Sequence, residues 1–218
     1  MATHIFLGEP PANVKRWIID HSTPAGHADT KFTLQDGTVE THNITGTLDI
    51  DWMIANGYYN DPASAWFKTI TQADIGNTVT SIGVRSFDNC SKLTSVTIPN
   101  SVTSIGSGAF LGCTSLTSIA IPDSVTSLDI GVFSECRGLT TIVIPDSVTS
   151  VGDFMFSDCS GLTNVTIGSG VTSVGEMLFT GCESLTTITV LGKTTSQAQT
   201  LLANTDVPEG CTIIGELG

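Results

Sequence analysis

Cys90, Cys113, Cys136, Cys159 and Cys182 stand 23 positions apart, with no insertion between any two of them. The same interval relates Phe87, Phe110, Phe133, Phe156 and Phe179, and again Leu93, Leu116, Leu139, Leu162 and Leu185. Val96, Ile119, Ile142, Val165 and Ile188 form a further column, as do Ile98, Ile121, Ile144, Ile167 and Val190. Two more columns begin at Val79 and Ile82. A unit this short cannot bury its own apolar side, so it needs a copy on each flank, and a run of such copies stacks into a solenoid. Composition supports β-rich coils over helical ones. Charged residues make up only 13% of the chain, and the abundance of Ser, Thr, Gly, Val and Ile suits short strands joined by turns.

Within a unit, Leu is followed by an apolar residue three positions later and another two after that. This pattern predicts a short strand that joins its copies in a parallel sheet. The phrase "SVTSIG" predicts a second extended edge with Val and Ile turned inward, and "GAFLGC" closes the coil with a helical or 3₁₀ turn. Wording such as "CTSLTSIAIPDSVTSL" resembles the BspA-like leucine-rich repeat proteins. The resemblance covers residues of about 74 to 191, through the agreed spacing of Cys, Phe, Leu and Ile-Pro. Two positions depart from it. Gly168 stands where other coils have Pro99, Pro122 and Pro145, and Asp129 stands where others have Gly83, Gly106, Gly152 and Gly175.

The expected architecture is a β-rich leucine-rich-repeat solenoid of about five coils, residues 71–191. An α+β cap or attachment module, residues 1–70, precedes it, and a small cap, residues 192–218, follows. Open ends of a stack expose strand edges and apolar surface that caps must cover. In the C-terminal segment a helix around Gln197 to Ala203 and a strand from Cys211 to Ile214 are expected. In the N-terminal segment "PPANVKRWIIDH" suits a helix, and Ser64 suits the cap of a helical turn. Asp36-Gly37 between two strand-like runs suits the tight turn of a hairpin.

The formal net charge of −13 would repel a phosphate backbone or an anionic bilayer, so neither nucleic acid nor membrane is expected as a partner. No stretch approaches the roughly 20 apolar residues of a membrane span. The opening "MATHIFLGEPPANVKRW" lacks a basic head followed by an apolar run and does not read as a secretory signal peptide. The periodic cysteines read as small buried thiols, because five equivalent positions cannot all pair and Cys-x-x-Cys is absent. His21, His27, Asp29 and His42 could in principle hold a metal, and Asp49 and Asp51 could act as paired carboxylates. Solvated loop and strand-edge positions account for both groups, and no metal or cofactor is expected. All four His lie outside the repeats and no G-x-S-x-G phrase occurs, so an enzyme is not expected.

What remains is surface. Residues flanking the second apolar position of each strand point outward: Ser95 and Thr97, Ser118 and Ala120, Thr141 and Val143, Asn164 and Thr166, Thr187 and Thr189. Repeat proteins commonly bind through such ladders. Trp52, Tyr58, Tyr59 and Trp66 in the N-terminal segment are stronger anchors by residue type. The resemblance implies non-catalytic recognition or adhesion, with a protein or cell-surface ligand and an extracellular or surface location. A structural part of a phage or other multi-protein assembly, oligomerised through residues 1–70, is the alternative.

Overall fold

The computed structural model describes residues 30–42, 44–48 and 69–217. The expected N-terminal helix, Ser64, His21, His27, Asp29, Asp49, Asp51, Trp52, Tyr58, Tyr59 and Trp66 lie outside them. The described residues open on β1 (Thr30–Leu34) and β2 (Val39–His42), paired antiparallel from Thr30 against His42 to Thr33 against Val39. The expected hairpin is present, but its loop has three residues instead of two. Leu34 N–H donates to the Thr38 carbonyl at 2.8 Å, Gly37 N–H donates to the Leu34 carbonyl at 2.9 Å, and Gly37 takes φ +82°. This is a type I turn closed by a left-handed glycine.

From there the coils run through β3 (Gly46–Leu48), β4 (Ile70–Asp74), β5 (Val79–Ile82), β6 (Ser95–Thr97), β7 (Ser104–Ile105) and β8 (Ser127–Leu128). They continue with β9 (Thr141–Ile144), β10 (Ser150–Val151), β11 (Asn164–Ile167), β12 (Ser173–Val174) and β13 (Thr187–Leu191). The helix α1 (Thr195–Leu201) and β14 (Thr212–Glu216) follow. The two apolar phrases thus build two edges, to each of which a coil supplies one strand, except that the coil of β8 supplies none to the second. One edge is a continuous parallel sheet of six strands, β3-β5-β7-β8-β10-β12. It counts six coils where the repeat wording suggests about five, because Gly46–Leu48 pairs in parallel with β5 without carrying the wording. The other edge is split into β2-β1-β4-β6 and β9-β11-β13-β14. Residues 117–121, expected to bridge the two parts, form no strand.

The core lies between the edges. Phe87, Phe110, Phe133, Phe156 and Phe179 are at most 1% exposed and stack in near-parallel pairs, centroids 5.1 to 6.1 Å apart. Phe32 leans on the first ring at 6.3 Å and 59°, so β1 caps the stack. Each Phe N–H donates to the following coil, as Phe110 does to the Val132 carbonyl at 2.9 Å. The third side of the coil is a chain of hydrogen-bonded turns instead of a helix. Backbone at Arg85, Gly108, Gly131, Phe154 and Met177, and again at Asn89, Gly112, Glu135, Asp158 and Gly181, turns left-handed and interrupts any helical run.

All six cysteines are free, five of them buried. They are more than space-fillers. The Cys113, Cys136, Cys159 and Cys182 thiols each donate to the carbonyl of the Phe 26 positions earlier, at 3.0 to 3.2 Å. Burial, the leading cause, pushes the pKa of all five buried thiols up, that of Cys182 to about 12. Threonine hydroxyls add a second stitch: Thr94, Thr140, Thr163 and Thr186 donate to the carbonyl 23 positions back.

At the C-terminus α1 begins on a capping box. Thr194 Oγ1 accepts from Gln197 N–H and Gln197 Oε1 accepts from Thr194 N–H. The Phe179 N–H donates to the carbonyl of buried Thr205, which continues the coil-to-coil ladder into this segment. Among the described residues no helix is long and apolar enough to cross a membrane.

Candidate functional site: the outward rows of the parallel sheets

Alternation along a strand sends every second side chain outward, and parallel in-register pairing turns those side chains into rows. In the C-terminal sheet Asn164 lies between Thr141 and Thr187, and Thr166 lies between Val143 and Thr189. β14 extends both rows with Thr212 and Ile214. Neighbouring members are about 4.8 Å apart, the strand spacing. Thr141, Val143 and Asn164 are exposed, with Val143 at 57%, and Thr166, Thr187 and Thr189 are half-buried.

In the N-terminal sheet Ser95 and Thr97 are exposed beside Gln72 and Asp74, and the Thr97 hydroxyl donates to Asp74 Oδ1 at 2.9 Å. Ser118 and Ala120 are exposed but stand on the interrupted coil. The face is therefore two rows of three coils plus β14, with Ser95 and Thr97 set apart from it, and not one row of five pairs.

Two sets of threonines do different work. The hydroxyls just before each strand are consumed in stitching the coils together. Those of Thr141, Thr166, Thr187 and Thr189 make no hydrogen bond to another described residue. They are available to a partner.

The six-stranded sheet carries a row that sequence reasoning missed. Ser81, Ser104, Ser127, Ser150 and Ser173 stand in register. Ser81 is bonded to Thr47 at 2.7 Å, and the other four hydroxyls make no bond to a described residue. Ser81, Ser104, Ser127 and Ser150, with Gly83, Gly106 and Asp129, line a shallow open groove of about 350 Å³. The signal was an unbroken serine column at the same 23-residue interval.

His42 lies 3.5 Å from Glu40 and against the Phe32 ring. No group of three or more His, Cys, Asp or Glu close enough to hold a metal occurs among the described residues.

A profile of the BspA type leucine-rich repeat region matches in six copies, over residues 63–186 and 131–216. No curated protein matches significantly. Among solved structures, the leucine-rich repeat protein of T. pallidum is 26% identical with a TM-score of 0.57, covering 67% of this chain and 70% of its own. A leucine-rich repeat protein from Eubacterium ventriosum is 26% identical with a TM-score of 0.59, covering 74% of this chain and 41% of its own. The pneumococcal vaccine antigen PcpA shares the fold at 19% identity and a TM-score of 0.58, covering 85% of this chain and 48% of its own. The chain thus spans less than half the length of the last two. With the repeat profile matched over most of its length and coils stacked as that wording requires, the chain belongs to the BspA-type leucine-rich repeat family.

Proposed function

We propose that the protein is a non-catalytic recognition module that binds a protein or cell-surface ligand through the outward rows of its C-terminal parallel sheet. The observation that carries this reading is the set of free threonine hydroxyls on the strands around exposed Val143, while the hydroxyls of Thr140, Thr163 and Thr186 just before those strands are spent internally. A rigid parallel sheet holds such groups at fixed spacing, so a partner pays little to order them. The absence of a large aromatic on the rows predicts modest affinity per contact. The N-terminal aromatics Trp52, Tyr58, Tyr59 and Trp66 are proposed as a further contact region.

The test is binding of the labelled full chain to epithelial cells, bacterial cells and immobilised matrix proteins. A Val143→Arg, Thr166→Arg variant should keep the native melting temperature and lose at least about tenfold in affinity. Binding that survives it unchanged removes the strand face from the reading. Loss confined to a Tyr58→Ala, Tyr59→Ala variant would move recognition to the N-terminal segment.

A further inference from the structure

The turn side of the coils carries a second surface, away from the strand rows. Arg85, Gly108, Gly131, Phe154 and Met177 occupy one column, every member left-handed at φ 54° to 61°. The corner is held in place by a backbone ladder. Gly108 N–H donates to the Ile130 carbonyl, Gly131 N–H to the Asp153 carbonyl and Phe154 N–H to the Glu176 carbonyl, at 2.9 to 3.0 Å. Left-handed backbone is costly for any residue with a Cβ, and two of the five coils meet that demand with glycine. The next two coils carry Phe154 and Met177 instead, 42% and 44% exposed, with Ile130 at 49% one coil before. Packing does not account for large apolar side chains that are both backbone-disfavoured and open to solvent. An outlier of this kind points to function.

The surroundings of the three side chains indicate what would cover them. Asp129 and Glu176 are exposed beside them and Asp153 is half-buried. Asp129 and Asp153 each use an oxygen on a turn N–H, of Ile130 and Glu176 respectively, which fixes their carboxylates at the corner. The cation next in sequence, Arg137, faces Glu135 at 3.4 Å. An apolar centre rimmed by uncompensated carboxylates is complementary to an apolar anchor flanked by cations. We propose that the Ile130, Phe154 and Met177 corner docks a cationic peptide segment of a partner protein, with an aromatic or aliphatic side chain seated among the three and Lys or Arg against Asp129, Asp153 and Glu176. This surface is independent of the strand-face reading and stands or falls separately.

The experiment selects random peptides displayed on yeast against the full chain, then measures synthetic copies of the enriched peptides at low and high salt. Enriched sequences should place Lys or Arg around an apolar residue. Their affinity should fall as salt rises, drop at least about tenfold in a Phe154→Gly, Met177→Gly variant, and weaken a few-fold at low salt in Glu176→Gln. The glycine variant should melt at the native temperature or about 2–4 °C higher, since it relieves disfavoured backbone. The proposal is overturned by any of four results. These are no such enrichment, equal binding by the glycine variant, binding indifferent to Glu176→Gln and to salt, or a lower melting temperature that makes the two side chains packing residues. A dimer of the full chain that the glycine variant dissociates would also overturn it, by showing that the occupant is a second copy.

Discussion

Each Phe of the repeat is tied down by its backbone as well as its ring. Its N–H reaches the next coil, and its carbonyl accepts from the Cys three positions on in the same coil and, except at Phe179, from the thiol of the next. A thiol suits that position because it donates weakly while packing as a small apolar group. Phe133, fully buried between Phe110 and Phe156, should therefore lose about 3–5 kcal/mol on change to Ala, read by urea unfolding. A loss below about 1 kcal/mol would show that the neighbouring rings close the gap. The same thiols make stability depend on pH. Below about pH 8.5, the ordinary thiol pKa, folded and unfolded chains both hold the proton and the contribution is whole. Above it the unfolded chain ionises while the folded one, its five thiol pKa values raised, does not. The unfolded state then binds fewer protons and stability falls as pH rises, by about 1.4 kcal/mol per unit for each thiol. Summed over five thiols the loss reaches several kcal/mol within about a unit above the ordinary thiol pKa, a large part of the stability of an ordinary domain. The urea midpoint should drop steeply between about pH 8 and pH 9.5; a level midpoint would mean that solvent already reaches the thiols of the native state.

At the scale of one coil, the departure of Gly168 from the Ile-Pro wording has a steric cause. A Cβ at 168 would stand 2.6 Å from the backbone of Pro145 and Asp146, and Gly168 N–H donates to the Ile144 carbonyl at 2.9 Å. Proline would clash and delete that donor. Gly168→Pro, which restores the repeat wording, should therefore destabilise the chain by about 2–4 kcal/mol; a raised melting temperature would show that the coil can move aside. Such close approaches are not visible in a single sequence, where Gly168 reads only as a missing Pro. The strands of the divided edge were legible from their period-two alternation and those of the six-stranded sheet from Val and an apolar residue recurring three apart in every copy, as was the C-terminal helix, which begins on a polar cap at Thr194. The left-handed turn columns were not: Arg85, Phe154 and Met177 are residues that disfavour that backbone, and the ladder of neighbouring turns imposes it. The serine row is legible as a column at the same interval, but a polar column between apolar ones is equally what a solvated strand edge requires, so period alone does not mark it as a surface for binding.

The described coils hold together through two continuous structures, the six-stranded sheet and the Phe stack, while the other edge is divided. In a stacked array stability is a sum of coil terms and nearest-neighbour terms, so one missing strand contact need not divide the molecule. The division falls at 117–121, whose "TSIAI" matches the wording of its neighbours; nothing in those residues explains it, and period alone could not have located it. Ile119 and Ile121 still point inward at 8% and 9% exposure, and Thr117 still accepts from Thr140 N–H at 3.1 Å. The N–H groups of 118–121 donate to no neighbouring coil, whereas Thr163 and Thr186 donate to theirs at 2.9 and 3.0 Å. Phe110 and Phe133 on the opposite side are bonded across the same level, to Val132 and Met155. Hydrogen exchange should therefore find the amides of 118–121 opening locally and fast, while those of Phe110, Phe133, Thr163 and Thr186 exchange only with global unfolding. Equal protection throughout would mean that the strand edge is continuous in solution and that Ser118 joins the outward rows. Fast exchange at Phe110 and Phe133 as well would mean that the two halves unfold as separate units.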